Sequence, residues 1–201
     1  MAGPILNIGR RKILKHRIIT TLLYDETGQV VKPIAFGRPY RRLGTLRQYV
    51  RVIENRNIDE LILIDITATQ QGREPNYATI RGVCDNLYCP VTVGGGISSL
   101  DHIRNLLNSG ADKVAIKSKR ELIPSAADKF GAQCVVFCMD HYSPDLQEIV
   151  DLGEAEHYGV GEILYTNMHR DGMMDGYDLQ NLGVVCAISK VPIIANGGCG
   201  S

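Results

Sequence analysis

The chain has 201 residues, 44% of them hydrophobic, which suffices for one domain with a substantial core. Its 22 Lys and Arg balance its 22 Asp and Glu, so no global field steers it to nucleic acid or to a membrane. No apolar run approaches the roughly 20 residues of a membrane helix and no signal-peptide core is present, so a cytoplasmic protein is expected.

Residues 1–16 have little pattern and read as an N-terminal arm. Its basic cluster suits a solvated surface better than an RNA contact, and Ile5, Leu6 and Ile8 could add an edge strand. Residues 17–23 predict a strand, 25–28 a turn and 29–32 a short excursion strand. Leu46, Tyr49, Val50 and Ile53 share one face of a helix expected over 46–56. The nearly continuous apolar run 60–66 predicts a strand buried on both sides. Asn76 caps a helix to about 86, and 91–93 is the next strand. A helix over 100–109 stops at Gly110. A strand over 113–116 leads to a helix ending at 130. Strands follow at 134–139, 162–166 and 191–195, with helices over 145–158 and 179–189 between them.

Seven short strands alternating with helices imply parallel strands joined by helical crossovers. Pro90-Val-Thr-Val-Gly-Gly-Gly96 recurs as Pro192-Ile-Ile-Ala-Asn-Gly-Gly198, displaced by 102 residues. Asp59-Glu-Leu-Ile-Leu63 and Gly161-Glu-Ile-Leu-Tyr165 share that displacement, which suggests an internal duplication. A (β/α)₈-type TIM barrel over 17–201, built from duplicated half-barrels, fits better than a doubly wound sheet. Only seven βα units are present, so the first and last strands are expected to keep open edges. A truncated gene, an arm plugging the gap, or a homo-oligomer joined through those edges would each account for this.

Strand C-termini should carry the chemistry. The turns at Gly94 to Gly96 and Asn196 to Gly198 offer backbone N–H groups to an anion, or are tight turns with glycine for steric reasons. A duplicated anion loop suggests a ligand with a phosphate at each end. Asp140 and Asp65 end apolar strands, where a carboxylate can be desolvated toward general-acid use or can cap the next loop. Lys117 and Ser118 could close on a phosphate beside the first glycine turn. His169 and His141 lack metal-ligand company and suit surface or loop roles. The six cysteines lack CxxC spacing, so buried thiols are expected rather than zinc or disulfides, and no metal or cofactor is expected. Arg17, Glu60, Lys113 and Glu162 each stand just before a strand. They could form a ring across the barrel floor, although spacing alone favours ordinary flanking charges.

These residues together resemble the cyclase subunit of imidazole glycerol phosphate synthase, from about Arg17 to Ser201. The resemblance is carried by Arg17-Ile-Ile, Asp59-Glu-Leu-Ile-Leu-Ile-Asp-Ile-Thr-Ala68, Thr92-Val-Gly-Gly-Gly-Ile97, Gly110-Ala-Asp-Lys-Val114, Gly161-Glu-Ile-Leu164 and Arg170-Asp-Gly…Asp175-Gly-Tyr-Asp178. It implies a half-barrel duplication and a glutaminase partner docked at the barrel floor. The family's substrate is a bis-phosphorylated nucleotide. Arg17, Glu60, Lys113 and Glu162 match the family's ammonia gate, which turns the expectation toward a ring. Asp112 falls at the glutaminase contact and Lys32 at a lysine near the substrate. The resemblance also implies catalysis by Asp140, with Asp65 and Lys32 beside it. Phosphate is expected at Gly95, Gly96, Lys117, Ser118, Asp171, Gly172, Gly197 and Gly198.

The chain departs from the family pattern in places. The family uses two aspartates; Asp140 matches one, but Leu23 stands where the other belongs, and leucine transfers no proton. Asp25, on the same strand parity, would need a shifted loop to replace it. Lys117 stands in place of Asn, and the segment between Asp140 and Gly161 is short. Leu23 and Glu74-Pro-Asn-Tyr77 look like a paralogous branch that forms amidines on bacterial surface sugars, with a nucleotide-sugar amide as substrate. A catalytically impaired phosphate-binding or assembly remnant is the other reading.

Overall fold

A computed structural model describes residues 16–33, 40–141 and 157–200. Nine strands form one sheet: β1 (Ile19–Tyr24), β2 (Gln29–Lys32), β3 (Arg41–Thr45), β4 (Glu60–Asp65), β5 (Val91–Gly94), β6 (Lys113–Ile116), β7 (Val135–His141), β8 (Glu162–Asn167) and β9 (Ile193–Asn196). Their order is β3-β2-β1-β4-β5-β6-β7-β8-β9. From β1 through β4 to β9 every neighbour is parallel; β2 and β3 form an antiparallel excursion. Five α-helices are described: α1 (Leu46–Glu54), α2 (Tyr77–Cys84), α3 (Leu100–Asn108), α4 (Ile123–Phe130) and α5 (Leu179–Ile188). The architecture is a partial barrel, not closed as a sheet. The strand expected at Ile5 to Ile8, and all but the last two residues of the helix expected over 145–158, lie outside the described residues.

Burial explains the continuous apolar strands. Leu61, Ile62 and Leu63 are all fully buried because β4 is covered on both faces. Leu61, Leu63, Val93, Val114 and Phe137 face the helices in the larger core. Ile62, Ala115, Val136, Cys138, Leu164 and Ile194 form a second core on the concave side.

The 102-residue echo is a structural repeat down to single hydrogen bonds. Leu61 N–H donates to Pro90 O, and Ile163 N–H to Pro192 O, both at 3.0 Å. Asn76 caps α2 by accepting from Thr79 N–H; Asp178 caps α5 by accepting from Asn181 N–H. Asp65 Oδ1 accepts from the N–H groups of Thr67 and Ala68, as Asn167 Oδ1 does from His169 and Arg170.

Three expectations change. The first strand does not keep a wholly open edge, because Leu23 and Tyr24 pair with Val31 and Val30 of β2. The helix before Phe130 is split: a 3₁₀ turn at Arg120–Leu122 precedes α4, whose first turn holds Pro124. β3 was not foreseen, since Arg41-Arg-Leu-Gly-Thr45 has no apolar alternation and is mostly exposed. No helix among the described residues is long and apolar enough to cross a membrane.

Candidate functional site

The site is built along one parity of the strands. Glu60, Ile62 and Ile64 alternate along β4; Glu162, Leu164 and Thr166 do so along β8. Lys113, Ala115 and Lys117 form the matching series from β6 into its following loop. Each series starts with a charge at the floor, continues through the concave apolar core and ends at a cavity.

At the floor the four charges close into a ring. Arg17 Nη1 donates to Glu60 Oε2 at 2.8 Å, and its Nη2 donates to Glu162 Oε1. Lys113 Nζ donates to Glu60 Oε1 and Oε2 at 2.9 and 3.1 Å, and to Glu162 Oε2 at 2.7 Å. Thr92 Oγ1 adds a third donor group to Glu60, which is only 2% exposed. Each carboxylate therefore meets both cations, the condition for holding such charges away from water. Burial disfavours the Arg17 cation, but Glu162 and Glu60 more than offset this and raise its pKa. Arg17 precedes β1 while Glu162 begins β8, five strands further along the sheet; only a curled sheet brings them together. Outside the ring on the floor side, a pocket of about 310 Å³ is lined by Tyr88 and Asp112, and Tyr88 is 98% exposed.

At the other end lies a cavity of about 410 Å³. Asp140, Lys117, Ser118, Gly95 and Gly96 line it, as do Leu23 and Asp65. Lys117 Nζ donates to Asp140 Oδ2. Asp65 is buried and serves as a turn cap: Oδ1 takes the Thr67 and Ala68 N–H groups, and Arg73 Nη2 donates to both oxygens, at 3.2 and 3.0 Å. Asp25 is locked in a separate turn, where Thr27 and Gln29 N–H donate to Oδ1 and Arg42 Nε to Oδ2. Burial pushes its carboxyl up, but these donors, Thr27 and Arg42 foremost, hold it below its ordinary value. It does not stand in for Leu23. Asp171 follows β8, and burial raises its pKa; Lys32 opposes that shift and Asp140 adds to it. Lys32 itself is exposed and acts on this mouth through charge.

The two glycine turns are matched. A Cβ at Gly95 would lie 2.2 Å from Asp65 O, and one at Gly197 would lie 2.5 Å from Asn167 O. Both have positive φ, so only glycine lets each turn pass under the neighbouring strand end. Part of their donor capacity is engaged: Gly96 N–H donates to Thr69 Oγ1 at 3.2 Å. Gly198 O accepts from Gly176 N–H at 2.8 Å, tying the second turn to the loop that carries Asp171 and Gly172.

The sequence reading missed several participants. Arg73 clamps Asp65, and Thr69 holds the glycine turn; neither lies on a strand. Thr166 lines the cavity and is hydrogen-bonded at 3.1 Å to Asn196, which the strand-end reading did include. The parity of Thr166 with Glu162 was the signal that could have found it. His141 is not a surface residue. It is 2% exposed, stacks on Tyr165 with centroids 5.6 Å apart, and lies 3.4 Å from Asn181 Nδ2. His169 is exposed. Cys138 alone among the cysteines is fully in the buried class; Cys186 and Cys199 are exposed, contrary to expectation, and none is in a disulfide. Burial pushes the Cys138 thiol up to about 12, with Asp140 adding to the shift. Among the described residues no group of three or more His, Cys, Asp or Glu could hold a metal.

A duplicated partial barrel with matched glycine turns at one rim and a charged ring at the other defines a class, and the family comparison agrees. The model of the histidine biosynthesis protein family matches residues 26–201, and the chain belongs to that family. It is 36% identical to imidazole glycerol phosphate synthase subunit HisF of Staphylococcus epidermidis, over 94% of this chain and 82% of that protein. It is 38% identical to HisF of Streptococcus mutans, with the same coverage. A Vibrio vulnificus protein named for subunit hisF2 of the same synthase is 35% identical, over 94% of this chain and 75% of that protein.

Proposed function

We propose that the chain is a synthase subunit that receives ammonia from a glutaminase at the barrel floor and adds it to a phosphorylated substrate in the cavity. The observation that carries this reading is the closed Arg17–Glu60–Lys113–Glu162 ring beneath a cavity that holds Asp140. The ring is the ammonia gate in this reading. Exposed Tyr88 and Asp112 would meet the glutaminase beside it.

The substrate we favour is a nucleotide-sugar amide rather than the histidine-pathway nucleotide. Ring closure to an imidazole in the family uses two acid/base carboxylates, and Leu23 leaves one. Amidine formation is simpler: nitrogen bonds to the amide carbon, and the carbonyl oxygen leaves as water. One carboxylate can carry two protons in turn from the incoming nitrogen to the carbonyl oxygen, which departs as water, and Asp140 would be that carboxylate in this reading. The similarity to a protein named for subunit hisF2 supports a paralogous branch, without bearing on its substrate. A catalytically impaired anion-binding remnant is the second reading, favoured by the same Leu23.

The test is co-expression with a candidate glutaminase, followed by affinity capture and turnover. Capture that is lost in Asp112→Lys, with glutamine-dependent amidine formation lost in Asp140→Asn, is the expected result. Capture without turnover on either substrate class favours the remnant. No capture and no ammonia-dependent turnover refute the synthase.

A further inference from the structure

The two ends of the barrel both hold opposed charges, but these are paired differently. At the floor, Arg17, Glu60, Lys113 and Glu162 share four ion pairs and every charge has two opposite partners. At the mouth, Lys117 bridges to Asp140, while Asp171 feels both Asp140 and Lys32 through space. The mouth is therefore the end whose pairing can be exchanged.

We propose that Lys117 is an anion-operated latch on Asp140: a phosphate or diphosphate group entering the cavity takes the Lys117 ammonium and leaves the Asp140 carboxylate exposed to the reacting part of the same ligand. This rests on reading the cavity as the substrate site, and adds how binding would be coupled to the availability of Asp140.

Four observations support the latch. First, the asymmetry of burial makes the lysine the moving partner: its side chain is 52% exposed and that of Asp140 only 12%. A four-carbon stem lets the ammonium swing, whereas a carboxylate at the end of β7 is fixed by its strand. Second, a half-exposed ion pair is weak and is easily exchanged. A phosphate dianion offers the same ammonium more charge and three acceptor oxygens. Third, the donors beside Lys117 suit an anion. Ser118 lines the cavity next to it, and the Gly95–Gly96 turn faces the same space. Gly96 N–H is already spent on Thr69, so a mobile cation has more to add here than another backbone donor would. Fourth, β1 offers no rival: Leu23, at the position that corresponds to Asp140 in the repeat, lines the cavity without a charge.

The experiment is a double-mutant cycle on the full chain, reading affinity for inorganic phosphate and for pyrophosphate by calorimetry at fixed salt. Asp140→Asn removes the competing carboxylate, so anion binding should tighten roughly three- to tenfold. Lys117→Met should weaken it at least about tenfold, and Lys117→Arg should restore most of the loss. In the Lys117→Met background, Asp140→Asn should change the affinity less than about twofold. Circular dichroism of each variant checks that it is folded. Equal tightening by Asp140→Asn with and without Lys117 overturns the latch, because the carboxylate then merely repels the anion. Unchanged binding in Lys117→Met, or no binding even in Asp140→Asn, overturns it as well. None of these readouts requires turnover or a glutaminase, so failure of the synthase reading would be seen separately.

Discussion

Leu23 and Asp140 are counterparts, as the hydrogen bonds beside them establish. Ile66 N–H donates to Tyr24 O, and Met168 N–H to His141 O, so the residues just before Tyr24 and His141 occupy one place in the repeat. An apolar side chain thus stands at the counterpart of Asp140 and lines the same cavity. Restoring it is informative. Leu23→Asp is expected to raise ammonia-dependent imidazole formation on the bis-phosphorylated nucleotide by about 10²-fold or more, since a placed general acid or base supplies that much. Turnover assayed with ammonia alone checks this without any glutaminase. Asp171 gives a stability prediction with a definite direction. Its folded pKa is raised, so it contributes stability below its ordinary range that is lost as pH rises through the raised value. Asp171→Asn should therefore melt higher than the parent at neutral pH, and the two should converge as the pH falls below the ordinary carboxylate range. A parent that melts higher at neutral pH would contradict the burial argument. Single residues were the hardest scale to read from sequence. His141 precedes Tyr-Ser-Pro-Asp and looks like a loop residue, yet it belongs to β7 and stacks on Tyr165.

Elements were legible where local chemistry and tertiary packing agree. β6 spans the expected residues, because a short β-branched run between a helix stop and a helix start leaves one interpretation. α1 begins where Thr45 and Gln48 form a reciprocal cap. β3 was invisible because its pairing with β2, not its composition, makes it a strand. Asn76 and Asp178 show how a repeat can diverge in strength at one position. Both cap a helix by the same bond, but Asp178 Oδ2 also accepts from Asn167 and Asn181 side chains. Asn76→Ala should cost about 1 kcal/mol, the usual value of an N-cap. Asp178→Ala should cost about 1 kcal/mol more, because the buried Asn167 amide and the half-buried Asn181 amide lose their acceptor as well. Urea denaturation of the two variants measures the difference; equal costs would mean that the second set of bonds adds nothing.

Across the whole molecule, the floor ring joins parts of the chain that lie far apart. Arg17 and Glu162 are separated by 145 residues, and Lys113 lies 53 from Glu60 and 49 from Glu162. Such a junction looks like a device for holding the barrel in its curve, but the energetics of buried charge argue otherwise. Desolvation of four ionised groups cancels most of their mutual attraction, so a closed charged ring adds little net stability over an apolar floor. Removing one member is a different matter. Glu60→Gln leaves Arg17 and Lys113 short of half their compensation and should cost about 3–5 kcal/mol. Converting all four positions to methionine removes the desolvation and the pairing together, and methionine fills the lost volume flexibly. The fourfold variant should then be at least as stable as the parent, up to about 1–4 kcal/mol more, and far more stable than Glu60→Gln. Urea denaturation of the three proteins decides it. If the methionine floor unfolds as readily as Glu60→Gln, the ring is there to hold the fold. If it stands firm while glutamine-dependent turnover disappears and turnover on added ammonia persists, the charges serve passage through the floor.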